Sequence, residues 1–97
     1  MSGGLLIQNS MMVLPNGIVQ GDLRVVDGII TTIAPNGVID PVFGEIVIDG
    51  NGLHLLPGAI DPHVHFRDPG HPEKEDLESG SRAAASGGIT SFLDMPN

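Results

Sequence analysis

The chain has 97 residues, with 12 Asp+Glu against 4 Lys+Arg and a formal net charge of -8. That balance argues against nucleic acid or an anionic membrane surface as a partner, since both require clustered positive charge. There is no cysteine, which removes a disulfide framework and a thiolate metal site and is compatible with a reducing, cytoplasmic setting. Met1-Ser2-Gly3-Gly4 has no basic stretch leading into an apolar core, so no signal peptide is expected. No apolar run approaches the roughly 20 residues that span a bilayer.

Residues 1 to 56 read as short strands separated by turns, an antiparallel β unit. Leu5-Leu6-Ile7 opens one strand and Met11-Met12-Val13-Leu14 follows, ending at the turn signal Pro15-Asn16-Gly17. Gly21 to Val26 and Ile29 to Ile33 flank Asp27-Gly28, a strong hairpin signal between β-branched runs. A second Pro-Asn-Gly, Pro35-Asn36-Gly37, closes that hairpin. Glu45 to Asp49 is a further strand, and Gly50-Asn51-Gly52 turns into Leu53 to Leu56. His54 stands alone in an apolar segment and is read as structural.

Pro57-Gly58 marks a change of pattern, and residues 57 to 97 read as strand, helix, strand. Ala59 to His65 is a nearly all-apolar strand, as expected for one covered on both faces. Asp68 to Pro72 is a loop. Glu73 to about Ser86 is predicted helical, with acidic residues in its first turn and a small face from Leu77, Ser81, Ala84 and Ala85. Gly87-Gly88 stops it, Ile89 to Asp94 is the next strand, and Met95-Pro96-Asn97 leaves that strand. So short a connection predicts a parallel βαβ unit. One such unit cannot bury itself on both faces, and a closed barrel of eight needs about 250 residues. The expected fold class is therefore α/β: the start of a (β/α)8 TIM-type barrel, incomplete in this chain, preceded by the β unit of residues 1 to 56. The chain is expected to be the N-terminal part of a larger protein.

His63 and His65 carry the chemistry. Alternation along a strand puts residues two apart on one face, roughly 7 Å apart at Cα. Two imidazoles so placed can converge on one divalent metal, and nitrogen ligands with an open position suit zinc. In parallel α/β barrels the functional groups sit at the C-terminal ends of strands. His63, His65 and Arg67 lie at the end of one strand, and Asp94 and Asn97 at the end of the next. Arg67 offers a planar fork for a carboxylate and Asn97 an amide to the same anion. The expected substrate is a small carboxylate with a hydrolysable bond. Against this stand simpler readings: Arg67 as an ion-pair partner of Asp68 or Glu73, Asn97 as a turn residue, His71 as a solvent-exposed loop residue, Glu73 to Glu78 as a solvated helix start. Asp61 reads as structural, and Asp94 stays open between structure and function.

Asp61-Pro62-His63-Val64-His65-Phe66-Arg67-Asp68-Pro69-Gly70 resembles the first signature of the dihydroorotases, in the amidohydrolase superfamily. The resemblance continues through Lys74 to Gly80, Ala83 to Thr90 and Asp94-Met95-Pro96-Asn97, covering about residues 57 to 97. Residues 1 to 56 are similar in general style to the small β-sandwich segment that precedes the barrel in these enzymes. Allantoinases and hydantoinases share the paired histidines. The arginine after His-Phe and the Met-Pro-Asn ending bind the substrate carboxylate in dihydroorotases, and allantoinase-like enzymes usually differ at those two places. The resemblance implies interconversion of dihydroorotate and N-carbamoyl-L-aspartate in pyrimidine biosynthesis. It implies His63 and His65 as ligands of zinc, one or two ions per complete site, and His65, Arg67 and Asn97 as substrate-binding residues. The family's general acid/base and remaining ligands come later in the barrel, so no catalytic residue is expected within these 97 residues, and the chain alone is expected to lack activity. Some dihydroorotase-like chains are instead non-catalytic partners of aspartate transcarbamoylase. They tend to lose metal ligands, whereas both histidines are present here.

Overall fold

One long strand organises the first half. The computed structural model describes residues 3–96, and the chain divides into two units, Met1–Leu56 and Pro57–Asn97. In the first, β1 (Gly4–Leu14) pairs antiparallel with β2 (Gly17–Val26), which pairs antiparallel with β3 (Ile29–Pro35). The β2–β3 turn has Asp27 at φ 53° and Gly28 at φ 76°, the two left-handed residues that match a hairpin's twist. On its other edge β1 takes β4 (Ile46–Asp49) and β5 (His54–Leu55), both parallel.

Two expectations change here. The two opening strands are one, with a register shift between Ile7 and Ser10. Asn9 sits there at φ 65°, a conformation asparagine tolerates better than most residues. Its N–H donates to Asp22 Oδ1 at 3.0 Å, so the irregularity is tied down rather than ending the strand. The unit is also not purely antiparallel. Residues 36–45 carry the chain back so that β4 and β5 run with β1, as a parallel pair requires a crossover rather than a hairpin. Among the described residues this unit is one mixed five-stranded sheet.

Charged groups brace that crossover. Arg24 on β2 donates from Nε to Glu45 Oε2 at 2.6 Å and from Nη2 to Oε1 at 3.0 Å. Its Nη2 also donates to the Asp40 carbonyl at 2.7 Å. The bidentate fork holds the Glu45 carboxyl below the usual carboxylate range and raises the Arg24 guanidinium. Asp22, 1% exposed, accepts from the Asn9 and Gly37 amides and so joins the irregular point of β1 to the second Pro-Asn-Gly turn. Leu6, Met12, Leu23 and Ile39 form the buried apolar core, whereas Ile46, Val47 and Ile48 of β4 remain exposed.

The second unit contains β6 (Ala59–Val64), α1 (Leu77–Ser86) and β7 (Ile89–Asp94), with β6 and β7 parallel. β6 ends at Val64, one residue short of expectation. Its ladder is irregular between Asp61 and Val64, around Pro62, which has no N–H to give. Burial on both faces is not met within this chain: Ile60 and Leu93 are 69% and 57% exposed. The helix begins at Leu77, not Glu73, because Asp76 is its N-cap. Asp76 Oδ1 accepts from the Ser79 amide at 2.7 Å, and the Asp76 amide donates to Ser79 Oγ at 3.1 Å. The Ser79 amide and hydroxyl hold the Asp76 carboxyl below its usual range. Asp68 Oδ2 accepts from the Leu77 amide at 3.2 Å, so residues 73–76 are loop.

The inward side of α1 also differs from expectation. Gly80 is its buried residue, flanked by half-buried Ser81 and Ala84, while Leu77 and Ala85 are exposed. The reason is Phe66, itself 7% exposed, whose ring lies where a Gly80 side chain would be: a Cβ there would stand 2.5 Å from Phe66 Cδ1. Phe66 packs edge-on against Phe92 of β7, with centroids 4.5 Å apart.

Candidate functional site

The end of β6 places the two histidines side by side. His63 is the penultimate residue of β6 and His65 lies just beyond its end, both exposed. Their Nε2 atoms are 3.3 Å apart, with ring centroids at 5.2 Å and planes at 63°. Two imidazole nitrogens on one tetrahedral zinc, each bonded at about 2.0–2.1 Å, stand about 3.3–3.4 Å apart. The observed spacing therefore fits chelation of a single ion. Among the described residues no group of three or more His, Cys, Asp or Glu side chains gathers at one point. The pair offers two nitrogen donors at one point.

Several neighbours fix the backbone that carries the pair. Asp61 Oδ1 accepts from the His63 amide at 3.2 Å, a local structural contact. The Met95 amide donates to the Val64 carbonyl at 2.7 Å, tying the exit of β7 to the end of β6. Asp94 Oδ1 accepts from the Phe66 amide at 3.2 Å. Arg67 is exposed and left-handed, at φ 63°. Its carbonyl accepts from the His71 amide at 2.7 Å, and the His71 carbonyl from the Lys74 amide at 2.9 Å, which folds the loop back on itself. His71 Nδ1 lies 3.3 Å from Glu73 Oε1 on the surface. Asn97 lies outside the described residues.

An open groove of about 550 Å³ lies beside these strand ends, lined by Asp68, Pro69, Gly70, Asp94, Met95 and Pro96. It is built by the loop after β6 and the segment leaving β7, and the histidine rings are not among its walls. Two contacts have no local mark in the sequence: the reach of Asp68 Oδ2 to the Leu77 amide and the seat of Phe66 on Gly80. The helix start does have one, the Asp76-Leu77-Glu78-Ser79 capping pattern. Among the described residues no helix is long and apolar enough to cross a membrane.

Residues 54–97 match the model of the Amidohydrolase family. A dihydroorotase of Bacillus licheniformis is 46% identical over 93 residues, covering 95% of this chain and 21% of that protein. An allantoinase of Desulfitobacterium hafniense strain Y51 is 42% identical over 92 residues, covering 95% and 20%. Among solved structures, the L-hydantoinase (dihydropyrimidinase) of Arthrobacter aurescens superposes with a TM-score of 0.80 at 31% identity, over 99% of this chain and 21% of its own. The chain spans about a fifth of the length of the curated relatives it matches. Sequence and fold similarity both point to cyclic amidohydrolases, while the names of these relatives divide among three substrates.

Proposed function

We propose that this chain is the N-terminal portion of a metal-dependent cyclic amidohydrolase of the dihydroorotase type, acting on dihydroorotate and N-carbamoyl-L-aspartate in the cytoplasm. The observation that supports it most is the 3.3 Å Nε2 separation of His63 and His65 at the end of β6, in a segment similar to dihydroorotases. On this reading β1 to β5 belong to a β-sandwich segment spanning residues 1–56. Residues 57–97 form the first βαβ unit of a (β/α)8 barrel.

His63 and His65 would hold zinc. When bound, the metal supplies a Lewis acid for the amide carbonyl and an acidified water. The chain's own residues do the rest of what falls to this portion. Arg67 offers a fixed cation and a bidentate fork to the substrate carboxylate, and Asn97 an amide to the same group. Anchoring the carboxylate beside the histidine pair orients the scissile amide toward it, which converts binding into reactive geometry.

The allantoinase and hydantoinase similarities favour a second reading of the same chemistry, with a different ring. Turnover by the whole protein of dihydroorotate, allantoin and hydantoin separates the two. Preference for dihydroorotate supports the first reading, and preference for either neutral ring replaces it. Arg67→Ala should weaken dihydroorotate binding by roughly tenfold or more, since a charged hydrogen-bonded contact is worth about 1.5–3 kcal/mol, while leaving metal content unchanged. Equal loss of both would assign Arg67 to the fold. Aspartate transcarbamoylase is a candidate partner of the whole protein, checked by co-purification.

A further inference from the structure

We infer that Asp94 is a positioning residue: its carboxylate clamps the backbone between His65 and Arg67 and so sets where both side chains stand. The inference rests on the reading of those two residues as site groups, and it assigns Asp94 a role apart from metal or substrate contact. Asp94 closes β7, yet its Oδ1 accepts from the amide of Phe66, 28 residues earlier and directly between the two site residues. The same three-residue stretch is held from the other side by the Phe66 ring, seated over Gly80 and edge-on to Phe92. The next residue, Arg67, is left-handed at φ 63°. That conformation costs about 1–2 kcal/mol for a residue with a side chain, and it persists where surrounding contacts over-determine it. The Phe66 amide bond to Asp94 and the Arg67 carbonyl bond to the His71 amide bracket that residue on both sides. Removing the carboxylate frees the Phe66 amide, lets the backbone at Arg67 relax, and turns the His65 ring away from His63.

The test compares Asp94→Ala and Asp94→Asn in the whole protein. Asparagine keeps an acceptor oxygen at the same place; alanine does not. Amide hydrogen exchange is followed in the metal-free protein for the segment 64–67 and for the helix 80–86, and zinc affinity is measured by competition with a chelator. Asp94→Ala should speed exchange in 64–67 and weaken zinc binding by about tenfold, with the helix unchanged. Asp94→Asn should restore both. The inference is overturned if Asp94→Ala matches the parent in both, if asparagine fails as badly as alanine, or if the helix loses protection together with 64–67, which would make Asp94 a support of the whole unit. Absence of zinc binding by the parent would count against the histidine pair, and the exchange data would still decide the clamp.

Discussion

The two units use their polar side chains in opposite ways. In the first, Asp22 and Glu45 are turned inward and spent on the backbone and on Arg24: Asp22 is 1% exposed and the Glu45 side chain likewise 1%. In the second, His63, His65 and Arg67 are exposed, and the carboxylates around them, Asp61, Asp68 and Asp94, each accept a backbone amide near the strand ends or helix start. Buried polar groups must be satisfied where they lie. Exposed ones face solvent, on a backbone that the three carboxylates brace. The contrast separates a unit whose charges are used inside it from one whose carboxylates hold the backbone around exposed side chains.

The contrast can be broken most sharply at His63. Removing a hydrogen-bond partner of a ligand typically weakens metal binding 10–100-fold, so removing the ligand should do more. His63→Ala is expected to weaken zinc binding by over about a hundredfold in a chelator competition and to shift unfolding by less than about 0.5 kcal/mol, as at other exposed positions. Full metal content in this variant would refute the ligand assignment. The reverse pattern is expected at Asp22. Asp22→Ala leaves the Asn9 and Gly37 amides without their acceptor, at about 1–3 kcal/mol each. Denaturant unfolding should register a loss on the order of 3 kcal/mol, with zinc binding unaltered.

Gly80→Ala sharpens the second unit's side of the comparison. The added methyl meets the Phe66 ring, and overpacking of about 1–3 kcal/mol exceeds the gain of about 1 kcal/mol in helix propensity. The expected net is a loss of roughly 1 kcal/mol, read by chemical denaturation, together with faster exchange at 64–67. A stabilised variant would show that the ring moves aside freely. The smallest effect is expected with acid. The Arg24 fork lowers the Glu45 pKa, so the folded state takes up the proton less readily than the unfolded one. The resulting stabilisation is complete above about pH 4.3 and is lost as pH falls through the folded-state value. Glu45→Gln should lower the unfolding midpoint at pH 7 and flatten its decline between pH 5 and 3 (about the range in which carboxylates titrate). An unchanged acid limb would remove Glu45 as its source.

Much of the chain was readable before folding. The hairpin at Asp27-Gly28 follows from two residues that accept positive φ, and the structure has it. The strand-helix-strand order after Pro57-Gly58 follows from the switch of hydrophobic period and from the Gly87-Gly88 stop. The pairing of His63 with His65 follows from their two-residue spacing, although β6 ends between them and only the loop geometry brings the nitrogens to 3.3 Å.

Local pattern determined the order of strands and helix and set His63 and His65 two residues apart, because those properties depend on neighbours within a few positions. Tertiary structure decided the rest. The return of the chain to β1 as parallel β4 and β5 comes with the Arg24–Glu45 ion pair across 21 residues. The first amide of α1 is met from the loop by Asp68. The setting of Phe66 depends on Asp94, Gly80 and Phe92. Each is a contact between residues distant in the chain, and no periodicity or propensity encodes which distant partner a side chain will find.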